Sequence, residues 1–291
     1  HPDMLLKRKH LSVIKANWQS KDKNIIDIAN ELNIGLDSIV FVDDSEFEID
    51  LVKNMIPQVY TFKVPDDLYE YPNNLIDLKN IFFKKSITEE DTIRTKSYKE
   101  QSNRIKNKKN FSNLNDYLIL LETKLNIYID NLSQLERLSQ LVTKTNQFNL
   151  TTRRYSKEKI KNMIDDENFL IFSLKVEDKF GVLGLTGLSI IKLINNKSFA
   201  EIDIFLLSCR IIGRKIESCF LNNIIKILKL KGIINIKASY RRTNKNEIAS
   251  NFYQESGFEM KSDNKDKKIY ELDTQKFTFK DSKLFEVKIE K

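Results

Sequence analysis

Cysteine is nearly absent from this chain. Cys209 and Cys219 are the only two, too few for a disulfide framework or a zinc set. A reducing, cytoplasmic setting is the natural expectation. Long apolar runs are also missing. None approaches the ~18 residues of a membrane span, so no membrane partner is expected. No signal peptide is visible, and the chain opens at His1 rather than Met. Acidic excess is lacking too: the net charge is +8 and the pI about 9.1. Such a balance suits nucleic acid, an anionic membrane or an acidic protein partner. Lys, Asn and Ile are spread over the whole chain, however, which has the look of a compositional bias. Nucleic acid is therefore not expected, and an acidic protein partner stays open. No internal repeat is present.

What is present is a core. Hydrophobic residues make up 41% of 291 positions, enough for two domains of ordinary size. Residues 1–86 read as α/β. Ile25, Ile26, Ile28, Ala29 and Leu32 follow a helical period, with Gly35 as a stop. A strand at 39–42, a helix from Phe47 to Met55 closed by Pro57, and a strand at 59–62 continue the alternation that marks a parallel sheet. Residues 87–112 change character. Thr88 and Asp91 form a helix start, and charge runs almost all round, as on an exposed connecting helix.

Residues 113–275 read as an α+β domain on a central sheet. Strands are expected at 118–122 and 125–129, then a helix through Leu132–Val142. Strands follow at 169–176, 182–193 and 200–207. A helix over 213–231, a strand at 233–239 and a helix over 245–255 complete the unit. The tail 276–291 alternates apolar and polar residues and is expected to add an edge strand.

The first chemical constellation is Lys21, Asn24, Asp43 and Asp44. Ile39-Val40-Phe41-Val42 ends abruptly in two carboxylates. Buried parallel strands deliver functional groups at their C-terminal ends, and paired aspartates suit Mg²⁺ beside a phosphate. Lys21, or Lys23 in its place, could supply the cation that fixes the phosphate. The plainer reading is a strand stop with two solvated acids.

The second is the polar run from Thr143 to Asn149 with Arg153 and Arg154. Its density of amides and arginines argues against a core segment and for recognition of phosphate or carboxylate, with Asn146, Gln147, Asn149, Arg153 and Arg154 as contacts. The alternative is a solvated loop with capping residues. The third is the segment after the strand at 200–207. Cys209 precedes a helix start rich in cations, where thiolates are favoured. It could carry an acyl group as a thioester, or be a small core residue. Cys219 reads as packing.

These stretches resemble a known family. Lys-x-x-Asn-Ile followed by Ile34–Asp44 is similar to the last two motifs of haloacid dehalogenase (HAD) phosphatases, and most to the FkbH-like subfamily. His1–Met4, Ala16-Asn17-Trp18, the run Thr143–Tyr155 and Phe205–Arg214 agree with that subfamily. The resemblance covers nearly all of 1–260. It implies a HAD Rossmann-like domain followed by a GNAT-like domain. It implies a bifunctional glyceryl transferase and phosphatase, taking 1,3-bisphosphoglycerate and loading a glyceryl unit onto the phosphopantetheine arm of an acyl carrier protein, with Mg²⁺. Carrier proteins are acidic, which the basic balance would favour.

Two departures stand against it. The HAD nucleophile motif Asp-x-Asp-x-(Thr/Val) occurs nowhere in the sequence, so the phosphatase is expected to be incomplete, with that motif upstream of His1. In addition, Arg210-Ile211-Ile212-Gly213-Arg214-Lys215 resembles the GNAT pyrophosphate loop, but Lys215 stands where a small residue is expected. Arg210, Gly213, Arg214 and Lys215 would then grip the carrier's phosphopantetheine phosphate instead, or form a plain basic turn. Phe252–Phe258 resembles the GNAT closing helix and strand. Two rival readings are an N-acyltransferase acting on an amine or amino sugar, with the HAD region as scaffold, and a non-catalytic carrier-docking module.

Overall fold

The computed structural model describes residues 3–82, 100, 104, 111, 113–194, 198–279 and 284–290. The connecting helix expected over 87–112 falls almost wholly outside them. The chain divides into two compact units, His1–Asn110 and Phe111–Lys291.

In the first unit, α1 (Lys21–Leu32), β1 (Val40–Asp43), α2 (Glu46–Met55), β2 (Tyr60–Lys63) and α3 (Tyr71–Ile81) follow in order. β1 and β2 pair in parallel, with Val40 opposite Tyr60 and Asp43 opposite Lys63. One parallel pair does not by itself show a phosphatase sheet. Its core is small: Ile25, Val52, Ile56 and Val59, with Leu36, Ile39 and Phe41 packed against them. α1 stops at Asn33, in the left-handed region with φ 53°, two residues before the expected glycine. Asparagine tolerates that conformation because its short polar side chain bonds locally. α2 ends just before Pro57, as the residue preceding a proline is pushed out of the helical region.

The second unit holds α4 (Leu114–Leu120), β3 (Thr123–Ile129), α5 (Leu135–Lys144), β4 (Phe148–Asn149), α6 (Lys157–Ile164), β5 (Phe169–Asp178), β6 (Gly181–Ile194) and β7 (Phe199–Leu207). It continues with α7 (Ile216–Leu230), β8 (Asn235–Arg241), α8 (Phe252–Glu255), β9 (Glu259–Asp263), β10 (Lys267–Asp273) and β11 (Phe285–Glu290). The sheet order is β11-β3-β5-β6-β7-β8-β10-β9, and β4 pairs with β7. Neighbours run antiparallel except β11 with β3 and β7 with β8. The tail does add an edge strand, β11, beside β3.

Two element types differ from the sequence expectation. Leu118–Glu122 is not a strand: Leu118 lies in α4, where Asn113 caps the start by accepting from the Asn115 N–H at 2.9 Å. Tyr117, Leu118 and Leu121 share its buried face, a helical spacing that a short continuous apolar run conceals. The helix expected over 245–255 is broken into a 3-10 turn at Glu247–Ala249 and the short α8. Asn246 turns its side chain back onto the backbone, which competes with helix formation.

Both faces of the sheet are covered. On one, Leu138, Leu141 and Val142 of α5 and Ile160 and Met163 of α6 pack on Ile171, Leu185, Leu188, Ile190, Ile204 and Leu206. On the other, Phe220, Ile224 and Leu228 of α7 meet Phe148, Phe205, Phe252 and Tyr253 in the larger core. Phe252 sits at the centre of an aromatic cluster, 5.1 Å from Phe148 and 5.2 Å from Phe205 between ring centres.

The sheet is not regular between β7 and β8. Only Phe199–Glu201 pair with Asn235–Lys237. Beyond that the two strands part, and the polar run fills the gap. Phe148 and Asn149 pair with Leu207 and Leu206. The Leu150 N–H donates to Phe205 O at 3.1 Å, and the Arg241 N–H donates to Leu150 O at 2.7 Å. Asn246, fully buried, staples this insert. Its Nδ2 donates to Asn149 O and to Arg241 O, each at 2.9 Å. Its Oδ1 accepts from Tyr240 OH and the Thr243 N–H. Replacing Asn246 with Leu strands buried carbonyls, and should cost the second unit about 3 kcal/mol in urea denaturation. The exposed neighbour Asn244, changed to Leu, should stay within about 0.5 kcal/mol. Equal small losses for both would show that the staple is not holding the insert.

Candidate functional site

Lys21 is the first residue of α1, and Asp43 the last of β1. A lysine at a helix N-terminus stands against the helix dipole, and Asp43 offsets this. Lys21 Nζ lies 3.3 Å from Asp43 Oδ2, a contact spanning 22 residues of sequence. Asp43 Oδ1 accepts the Ser45 N–H at 3.0 Å, which fixes the carboxylate at the start of α2. Burial alone would raise the Asp43 pKa, but the Ser45 N–H and the Lys21 ammonium outweigh it and hold the pKa below the usual aspartate range. Asp43 is thus kept anionic. Asp44 is exposed beside it.

These two carboxylates are hard oxygen donors of the kind Mg²⁺ takes, and one or two carboxylates beside phosphate and water is its usual complement. Among the described residues no group of three or more His, Cys, Asp or Glu is placed to hold a metal. Asn24 is buried and does not face this pair in any recorded bond. Its amide is locked reciprocally with that of Asn17, at 2.9 and 3.0 Å, and it also donates to Gln19 O. It ties the 17–19 loop to α1.

The polar run is placed otherwise than its composition suggests. Phe148, Asn149, Leu150 and Thr151 are buried, because they fill the parted sheet. Asn149 Nδ2 donates to Thr145 O and its Oδ1 accepts the Thr152 N–H. Arg154 turns inward to Val142 O, Thr145 O and the Asn146 side chain. Arg153 pairs with Asp203, whose carboxylate also accepts Tyr155 OH at 2.8 Å. Asn146 is exposed and Gln147 half-buried. Asn149 and Arg154 satisfy backbone groups of an irregular buried segment, which needs partners for its polar groups. The sequence signal for this was the alternation within Phe148-Asn149-Leu150, masked by the polar flanks.

Cys209 opens a short 3-10 turn after β7 and is half-buried. Arg210 donates to Ser208 Oγ at 3.3 Å. Arg214 does not face outward. Its Nη1 lies 3.3 Å from Asp178 Oδ2, with both side chains under a tenth exposed. Lys215 is exposed, at φ 61°, and reaches Asn115 Oδ1 at 2.7 Å. Gly213, at φ 77°, presents its N–H to the carboxylate of Glu217, in the first turn of α7. Sequence reasoning missed Glu217 and Asn246. Neither belongs to a recognisable motif, and only the fold brings each to its partners.

Burial pushes the Glu217 carboxyl above the usual glutamate range, although the backbone N–H groups and Arg214 pull the other way. A folded-state pKa raised above the unfolded one stabilises at low pH, and that contribution fades as pH rises through the raised value. Glu217→Gln, which cannot ionise, should therefore gain on the wild type as pH rises above the ordinary glutamate range, about pH 4.3. Urea midpoints across that rise check this; a gap that narrows with rising pH would contradict it.

No family model matches the chain, and no curated protein is similar to it in sequence. Solved structures are similar over about half of it. An acetyltransferase of the GNAT family from Desulfovibrio desulfuricans is 13% identical, with TM-score 0.42, covering 52% of this chain and 99% of that one. A spermidine N-acetyltransferase from Vibrio cholerae is 18% identical, with TM-score 0.41, covering 53% and 95%. An N-acetyltransferase from Thermoplasma acidophilum in complex with coenzyme A is 23% identical, with TM-score 0.39, covering 50% and 98%. At TM-scores below 0.5 these likenesses decide neither the fold nor the chemistry of this chain. None of these likenesses is to a HAD phosphatase. Among the described residues no helix is long and apolar enough to cross a membrane.

Proposed function

We propose that the chain is an FkbH-like glyceryl transferase/phosphatase, whose first unit holds a phosphorylated acid and whose second unit is an acyltransferase-type domain serving an acyl carrier protein. The observation that supports it is the Lys21–Asp43 pair at the end of a parallel strand. A cation and a carboxylate whose charged form is favoured, in one place, are what a phosphate and its metal need. Lys21 would hold the phosphate, and Asp43 and Asp44 would hold Mg²⁺, which when bound offsets phosphate charge. An acyl phosphate is an activated donor and a thiol a good acceptor, so a 3-phosphoglyceryl unit can pass to sulfur with release of the acyl phosphate, and removal of the 3-phosphate ester to leave a glyceryl unit is a separate hydrolysis. Cys209 is the thiol proposed to carry it before the phosphopantetheine arm of the carrier. With no Asp-x-Asp in the chain, these residues alone would not hydrolyse a phosphate ester. The net charge of +8 favours encounter with an acidic carrier.

A second reading, an N-acyltransferase acting on an amine, is supported by the second unit alone: a mixed sheet whose two central parallel strands part beside a loop leading into a helix. It assigns no role to the Lys21–Asp43 pair.

Calorimetry with 3-phosphoglycerate and Mg²⁺, as a stable stand-in for the acyl phosphate, tests the first reading. Loss of a charge-assisted bond to phosphate is worth about 1.5–3 kcal/mol. Lys21→Ala should therefore weaken binding by roughly tenfold or more, and Lys23→Ala by less than about twofold. Binding indifferent to Lys21, or dependent on Lys23 instead, would remove the assignment.

A further inference from the structure

The gap between β7 and β8 and the turn before α7 are two places in the second unit where backbone groups could hold an extended ligand bearing amides and a pyrophosphate. Two strands that part leave backbone N–H and C=O groups unpaired, and an extended chain of amides is what satisfies them. A turn with two residues at positive φ leading into a helix offers N–H groups to an anion. We infer that the second unit does not take coenzyme A, because its own chain occupies both places: Phe148–Leu150 fill the parted strands, and the Glu217 carboxylate caps the turn at Gly213.

The two fillings are independent. In the gap, Leu206 and Leu207 are paired with Asn149 and Phe148. Phe205 O is taken by the Leu150 N–H, and the Arg241 N–H by Leu150 O. No backbone group named here is left for a pantetheine amide. Withdrawing the insert would uncover Phe148, 4% exposed, and Leu150, fully buried. It would also break the bond from Asn246 Nδ2 to Asn149 O. At the turn, the Gly213 N–H already has an oxygen acceptor in Glu217. That acceptor is covalently tethered four residues away and is itself 7% exposed. The neighbouring guanidinium is committed as well, since Arg214 faces the buried Asp178. A pyrophosphate arriving here would meet a carboxyl group where it needs a donor.

The inference rests on the acyltransferase reading of the second unit, since that reading makes coenzyme A the ligand worth excluding. It places any pantetheine arm, free or carrier-borne, outside the strand gap, so a carrier would be recognised by its protein surface.

The test is calorimetric titration of the full chain with acetyl-coenzyme A, and separately with inorganic pyrophosphate. No saturable binding up to about 1 mM is expected for either, which is a free energy weaker than about −4.1 kcal/mol. Saturable 1:1 binding of acetyl-coenzyme A below that concentration overturns the inference. Glu217→Ala uncovers the turn, and should bind pyrophosphate at least about tenfold more tightly than the wild type. A folded Glu217→Ala protein with no gain would show that Glu217 is not what closes the turn. If that variant does not fold, the wild-type titration decides alone. Binding of a phosphopantetheinylated acyl carrier protein, measured on the same preparation, separates the two claims. Carrier binding without coenzyme A binding is expected. Its absence counts against the acyltransferase reading and leaves the coenzyme A result to stand by itself.

Discussion

One residue closes the central sheet of the second unit. Leu150 donates to Phe205 on β7 and accepts from Arg241 beyond the point where β7 and β8 have parted. Without it the C-terminal halves of two parallel strands would face each other across unpaired backbone. Much of the unit depends on this bridge. Phe148 is placed by it into the aromatic cluster with Phe205 and Phe252. Thr151, Arg153 and Tyr155, which follow, are drawn onto Asp203 of β7. Asn246 is committed to the same bridge from the β8 side. Buried irregular backbone is tolerated only when every polar group finds a partner, and this segment supplies its own amides and guanidinium groups for the purpose.

The same constraint shapes what the unit can bind. A gap stapled by side chains is no longer an open slot for an extended ligand. The turn before α7 is closed by similar means, with Glu217 accepting where an external anion would. The contrast with the first unit is instructive. There Lys21 keeps 47% of its side chain accessible, while the Asp43 carboxylate turned toward it keeps 12%. In the second unit the pair beside the turn, Arg214 and Asp178, is buried on both sides.

Much of the fold was legible in the sequence. The strand trio of β5, β6 and β7 and the long helix α7 follow from apolar runs flanked by polar breaks. Asp43 and Lys21 were marked by the abrupt end of an apolar strand and a lysine spacing, and the fold brings them together. The edge strand β11 announced itself by alternation. What was not legible was long-range. Nothing local says that Asn246 lies against Asn149, 97 residues earlier. Nor does a glutamate in the first turn of a helix declare that it will cap the loop before it. Part of the polar run is buried against its composition, because composition reports what side chains prefer in isolation. Its arginines are spent on backbone carbonyls and a buried aspartate, a use that becomes visible only once the strands have parted. Leu118 misled in a simpler way, since a short apolar run does not distinguish strand from helix.

The most direct measurement is native-state hydrogen exchange at the amides of Leu150 and Arg241. If the bridge is integral to the sheet, both should exchange only through global unfolding of the second unit. They would then match the free energy and urea dependence of core amides in β7 and β8. If instead they exchange through a small local opening, insensitive to urea and several kcal/mol below the core, the insert is a removable plug. The account of a self-filled sheet would then be wrong.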